Sequence, residues 1–165
     1  MKTLSVRRLV TLATAMIFAT AALTACAPAT PATPTISDAW VKAVPEVMKD
    51  MDMTALFGVV SNPTDETIYL TGGTVADASI TTTKLDAHEV VKGDDGKMKM
   101  QEVDGGIAVP AHGSVTLKPG SYHIMFWNLK KPIAVGDNVE VTLNFSNGST
   151  LKVTAVARDI ANYAG

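Results

Sequence analysis

Short stretches of alternating apolar and polar residues, separated by turn residues, run along the chain from Asp38 to Arg158. A repeat of two residues places successive side chains on opposite faces of an extended chain, so the pattern predicts β-strands. Helical periodicity is weak throughout this part of the chain. Nine strands are predicted, at Asp38–Ala43, Thr54–Ser61, Thr67–Ala76, Ser79–Val91, Lys97–Glu102, Ser114–Leu117, Tyr122–Leu129, Val139–Phe145 and Ser149–Arg158.

Turn residues separate these strands at near-regular intervals. The segments GDDG (residues 93–96) and SNG (residues 146–148) predict two hairpins, and Gly72-Gly73 predicts a bulge or a bend within a strand. No internal repeat is visible. Many short strands with regular turns are typical of a sandwich, so we predict an all-β domain: an antiparallel Greek-key β-sandwich, similar to cupredoxin-like or immunoglobulin-like domains.

The first 25 residues differ from the rest. Lys2, Arg7 and Arg8 precede an apolar stretch, Leu9–Leu23, which is typical of a secretory signal peptide and too short and alanine-rich for a permanent membrane span. The segment LTAC at residues 23–26 resembles a bacterial lipobox, and Cys26 is the only cysteine. We therefore predict cleavage before Cys26, a lipid anchor on it, and an extracytoplasmic location on the bacterial cell membrane, in the periplasm or on the outer face of the cytoplasmic membrane.

This pattern divides the chain into three parts. Residues 1–25 are the predicted signal peptide, residues 26–35 are a tether of alanine, proline and threonine, and residues 36–165 are long enough for one domain with a core. Removing the signal peptide takes away three basic residues and no acidic ones, so the formal charge moves from −2 to −5. A mildly acidic surface does not indicate a nucleic-acid-binding protein.

Common enzyme motifs are missing from the sequence. There is no Gly-x-Ser-x-Gly, no His-Glu-x-x-His and no phosphate-binding glycine loop. A blue-copper electron carrier needs a cysteine in its site, and the only cysteine is Cys26. We therefore expect a binding protein rather than an enzyme.

Histidine and methionine are concentrated between residues 88 and 125. His123 and Met125 lie two apart on one predicted strand, so both side chains leave the same face roughly 6.6 Å apart. Met98 and Met100 have the same spacing on another strand, and His88 lies on a third. Imidazole and thioether ligands suit a soft ion of low charge, which favours Cu(I) over zinc or iron. The sequence predicts a Cu(I) site near one end of the sandwich, formed by His88, Met100, His123 and Met125, with Met98 as a substitute for Met100.

The same residues carry a family resemblance. His88-Glu89, a glycine-containing loop, Met98-Lys99-Met100 and then GGIAVPAHGSVTLKPGSYHIMF (residues 105–126) resemble the periplasmic copper chaperones of the PCuAC family over about residues 38–156. The resemblance implies Cu(I) ligation by His88, Met100, His123 and Met125. Two features depart from the family pattern: the interval from His88 to Met100 is one residue longer, and Val90 and Lys92 replace methionines that commonly follow His-Glu.

The function implied is delivery of copper by ligand exchange, with the copper centres of cytochrome c oxidase, or another copper assembly factor, as recipient. Three more methionines, Met48, Met51 and Met53, are either a secondary copper-collecting group or core packing at the end of the sandwich. Two alternatives stay open: a lipoprotein binding or adhesion module without metal, and a copper storage or resistance protein.

Overall fold

Ten β-strands and one short 3-10 helix form the structure, a computed structural model that describes residues 33–49 and 52–163. The described residues contain no α-helix. The strands are β1 (Thr35–Lys42), β2 (Thr54–Ser61), β3 (Ile68–Val75), β4 (Leu85–Lys92), β5 (Met98–Glu102), β6 (Ile107–Val109), β7 (Ser114–Leu117), β8 (His123–Phe126), β9 (Asn138–Phe145) and β10 (Thr150–Arg158), followed by the 3-10 helix Ile160–Asn162.

The strands form one sheet that closes on itself. Its order is β5-β4-β8-β2-β1-β10-β9-β3-β6, and β3 also pairs with β4, while β7 pairs with β2. The predicted all-β fold is therefore confirmed. The pairings are antiparallel except that of β1 with β10, which is parallel and makes the sheet mixed.

Gly72 allows the closure between β3 and β4. The register of β3 against β9 shifts between Leu70 and Gly72, which is the bulge that the Gly72-Gly73 pair predicts. Gly72 has a φ of +139°, and a Cβ at this position would collide with the backbone carbonyl oxygen of Leu85. Only glycine fits this close approach without displacing the backbone.

Two apolar clusters lie on opposite faces of β2 and β8. Leu56 from β2, with Ile124 and Phe126 from β8, packs into the main core inside the closed sheet. The alternate residues of the same strands point outward, where Phe57 and Met125 belong to a smaller cluster with Trp40 and Ala55. Strand β8 is buried on both faces, because each face packs against a different cluster.

Two predicted elements differ from the structure. The strand predicted from Ser79 begins only at Leu85, because Asp77 accepts a backbone hydrogen bond from Ser79 and forms a turn with Ile80. Strand β6 is not among the predicted strands. It has three residues, too few for a visible alternation, and it is held by pairing with β3.

The predicted signal peptide, the lipobox cysteine Cys26 and most of the predicted tether lie outside the described residues. Within residues 33–49 and 52–163, no helix has the length and hydrophobicity needed to cross a membrane.

Candidate metal centre

His88 and His123 face each other across neighbouring strands. They are register partners in the antiparallel pair of β4 and β8, and their ring centroids are 6.0 Å apart with an angle of 36° between the planes. Both side chains are buried, with 9% of His88 and 4% of His123 exposed. The pairing brings together two imidazoles that lie 35 positions apart in the sequence.

One nitrogen of each ring is buried without a hydrogen-bond partner among the described residues: Nδ1 of His88 and Nε2 of His123. In His123 the other nitrogen, Nδ1, donates a hydrogen bond of 2.9 Å to the carbonyl oxygen of Ser121. Because a carbonyl can only accept, Nδ1 carries the hydrogen and Nε2 presents a free lone pair. Metal-binding histidines are commonly oriented by such a bond from the other ring nitrogen.

The electrostatics of His123 favour the neutral ring. Burial lowers its pKa below the ordinary value of 6.5, and the neighbouring His88 lowers this pKa further, while the hydrogen bond to Ser121 opposes the shift. A neutral imidazole has the lone pair that metal binding requires. At neutral pH His123 therefore presents a lone pair rather than a positive charge.

Met125 brings a buried sulfur to the same face of β8 as His123. Its side chain is 3% exposed and packs in the outer cluster with Phe57 and Trp40. Its register partner on β4 is Asp86, two residues before His88. Met125 is therefore fixed by packing before any ligand arrives.

Met100 approaches from the edge of the sheet. It lies on β5, opposite Val90, so its side chain leaves the same face as His88. About half of it, 49%, is exposed. Met98 is two register pairs further out, opposite Lys92, and is 64% exposed.

A cavity of about 230 Å³ lies on this face, and Met53, Phe57, Met100, Pro119, His123 and Met125 are among the residues that line it. His88 lies beside the cavity on β4 and does not line it, and neither does Met98. The structure thus places Met100, His123 and Met125 around one cavity, with His88 paired to His123 beside it.

The three methionines before β2 have different positions. Met53 lines the cavity and packs against the outer cluster. Met48 is 45% exposed and is not among the residues that line the cavity. Met51 lies outside the described residues.

Aromatic residues that the sequence did not single out surround the histidines. Trp127 approaches His88 edge to face, with centroids 5.5 Å apart and an angle of 62°, and Phe57 lies 6.3 Å from His123. The sequence contained a pattern that could have identified Trp127, because Trp127 continues the two-residue spacing of His123 and Met125 and so is predicted to lie on the same strand face. Phe57 carried no such signal, because its position depends on the pairing of β2 with β8.

The donor set is soft. Among residues 33–49 and 52–163, no group of three or more histidine, cysteine, aspartate or glutamate side chains lies close enough to hold a metal ion. Two imidazoles flanked by thioethers instead match the preferences of Cu(I). The all-β scaffold has the cupredoxin-like fold of PCuAC domains.

The chain belongs to the LpqE-like family, whose model, described as "Putative lipoprotein LpqE-like", matches residues 34–157. A protein of Leifsonia xyli subsp. xyli (strain CTCB07), described as "Putative lipoprotein Lxx21020", is 39% identical over 134 residues, which cover 79% of this chain and 75% of that protein.

Solved structures with the same fold include copper-binding proteins. The solution structure of Cu(I)-DR1885 from Deinococcus radiodurans aligns with a TM-score of 0.53 and 30% identity over 85% of this chain and 87% of that one. The copper-bound PCuAC domain from PmoF2 aligns with a TM-score of 0.57 over 77% of this chain and 93% of that one; at 22% identity this likeness shows the fold alone. The predicted family relationship is confirmed.

Proposed function

We propose that this protein is an extracytoplasmic Cu(I) carrier that binds one ion through His88, His123, Met125 and Met100 and passes it on by ligand exchange. The observation that carries the proposal is the pair of buried ring nitrogens, Nδ1 of His88 and Nε2 of His123, without hydrogen-bond partners among the described residues. An unpaired buried polar atom costs about 1–3 kcal/mol, so two of them on facing strands favour a site where a bound ligand compensates this cost.

The chemistry of the donors supports Cu(I) as that ligand. Thioethers are neutral and bind hard cations weakly, whereas Cu(I) is soft. The buried Met125 and the two imidazoles supply affinity, while the half-exposed Met100 is the ligand that an incoming partner can reach. Replacing one weak ligand at a time would transfer the ion without releasing it into water.

The comparisons support this proposal. DR1885, 30% identical to this chain, has a structure in its Cu(I) form. The family description and that of the Leifsonia relative both contain the word lipoprotein, which supports the proposed anchor at Cys26. With residues 1–25 removed and residues 26–35 as a tether, the domain at residues 36–165 would stay close to clients in the membrane.

Titration of the purified protein with Cu(I) under reducing conditions tests the site. We expect one tightly bound ion per chain. His123→Ala and Met125→Ala should each lower the affinity at least about 100-fold, because loss of a residue that only orients a ligand already lowers metal affinity by about 10–100-fold. His112→Ala is the matched control, because His112 is exposed and pairs with Asp65 at 2.8 Å. Equal binding by all variants would instead favour a binding or adhesion module without metal.

A deletion strain separates delivery from storage. The proposed recipient is the copper site of cytochrome c oxidase, directly or through another assembly factor, as the family resemblance implies. Failure of oxidase assembly at low copper, restored by the wild-type gene and not by the His123→Ala form, is the result that delivery predicts. Sensitivity to excess copper with normal oxidase would identify a storage or resistance protein.

A further inference from the structure

The cavity beside His123 contains one sulfur more than the proposed site uses. Of the methionines that line it, Met100 and Met125 belong to the proposed ligand set, and Met53 does not. The other described methionines outside this set, Met48 and Met98, are 45% and 64% exposed and do not line the cavity. The structure therefore singles out Met53 among the additional sulfurs.

Hydrogen bonds of its two chain neighbours hold Met53 at the cavity. The residue before it, Asp52, accepts a hydrogen bond of 2.8 Å at its carbonyl oxygen from the backbone N–H of Leu129, just beyond β8. The residue after it, Thr54, donates from its hydroxyl to the carbonyl oxygen of Lys42 at 2.6 Å. Met53 is thus tied to both β8 and β1, and its partly buried side chain packs against the outer cluster.

Ordering of this kind matters for a weak ligand. A methionine side chain loses up to about 2 kcal/mol of conformational free energy when it is fixed in one position. For Met53 folding has already met much of this cost, because packing and the neighbouring hydrogen bonds restrict it. A thioether restricted at the cavity is a better competitor for Cu(I) than one on an exposed chain.

We infer that Met53 is an additional Cu(I) ligand, which holds the ion transiently at the cavity while the bond to Met100 forms or breaks. This inference rests on the proposed function. The copper stays Cu(I) throughout: one copper–sulfur bond forms as another breaks, and no electron or proton is transferred. Met53 speeds exchange because the ion keeps its coordination number while a partner replaces the exposed ligand.

Methionine methyl NMR of the purified wild-type protein tests the contact directly. On addition of Cu(I), we expect the methyl resonance of Met53 to shift together with those of Met100 and Met125. The resonance of Met48, which does not line the cavity, serves as an internal control and should stay in place. An unchanged Met53 resonance in a protein whose Met125 resonance shifts would overturn the inference.

Exchange kinetics test the role. Leucine is close to methionine in volume and lacks sulfur, so Met53→Leu removes the ligand and keeps the packing. In transfer of bound Cu(I) to a chromophoric chelator, we expect Met53→Leu to slow exchange at least about fivefold, the effect of roughly 1 kcal/mol on a barrier. Met48→Leu is the matched control and should exchange at the wild-type rate, because Met48 does not line the cavity.

The outcomes separate this inference from the proposed function. A wild-type protein that binds no Cu(I) would refute the function itself. A wild-type protein that binds one Cu(I), with Met53→Leu exchanging at the same rate, would refute only the role of Met53. Equal slowing by Met48→Leu would also overturn it, because an exposed sulfur outside the cavity would then act in the same way.

Discussion

Replacing His88 by phenylalanine should stabilise the protein without copper and abolish copper binding. Core substitutions usually destabilise a protein by about 0.5–3 kcal/mol, so the expected sign is unusual. It follows from the unpaired Nδ1, since a phenylalanine ring fills a similar space and has no polar atom to leave unsatisfied.

The magnitude follows from three terms. Removing the buried unpaired nitrogen gains about 1–3 kcal/mol. The edge-to-face contact with Trp127 at 5.5 Å, of a kind worth about 0.5–1.5 kcal/mol, is kept because phenylalanine is aromatic. The larger ring costs part of the gain, although the neighbouring strand β5 is at the sheet edge and can adjust. We expect a net increase in the free energy of unfolding of about 1 kcal/mol, or roughly 3–6 °C in Tm.

Urea and thermal unfolding of the copper-free proteins measure this change, with His112→Asn as control for loss of an exposed histidine. Copper at 100 times its Kd should stabilise the wild type by about 2.7 kcal/mol and the His88→Phe variant by almost nothing. The reasoning fails if the folded copper-free variant is less stable than wild type by about 1 kcal/mol or more, since Nδ1 would then have a stabilising partner. It also fails if the variant keeps the wild-type copper affinity.

Three further predictions concern other parts of the same face and its closure. Met125→Leu should lower Cu(I) affinity at least about tenfold and change copper-free stability by less than about 1.5 kcal/mol, while Met98→Leu leaves affinity unchanged in the same titration. The pKa of His123 is lowered in the folded protein, so the folded state binds fewer protons than the unfolded state; copper-free stability should be constant above about pH 6.5 and fall as the pH drops toward the folded pKa. Urea unfolding between pH 7.5 and 5 checks this, and a wild-type slope no steeper than that of His123→Gln would contradict it. Gly72→Ala should cost more than about 2 kcal/mol, measured by urea unfolding, because its Cβ meets the backbone of β4; a near-neutral result would show that β3 and β4 can separate freely.

The alternation of residues along β8 predicted which side chains share a face of the strand, but it did not predict which strands pair with β8. The two-residue spacing of His123 and Met125 was enough to place both side chains on one face. Their meeting with His88 depends on the register of β4 against β8, which is set by residues far apart in sequence. Without the family resemblance, periodicity alone gives no means of choosing that register.

The position of Met53 shows a second limit. In the sequence it stands with Met48 and Met51 in one loop, and nothing local distinguishes the three. The structure distinguishes Met53 through a hydrogen bond from Leu129 to Asp52, a contact between distant segments. Short strands cannot be predicted from the sequence for the same reason. Strand β6 forms because β3 pairs with it, and its own three residues show no pattern that predicts a strand.

Under the proposed function, the placement of the proposed ligands on the sheet would account for both retention and release of copper. His123 and Met125 lie on an inner strand that is buried on both faces, so their positions cannot change without disturbing the main core. Met100 lies on β5, which among the described strands pairs with β4 alone and is exposed along its whole length. A partner that approaches this edge meets the one proposed ligand that can move at low cost. Ligand exchange would therefore begin at β5, while the buried imidazole and thioether on β8 hold the ion until the partner has bound it.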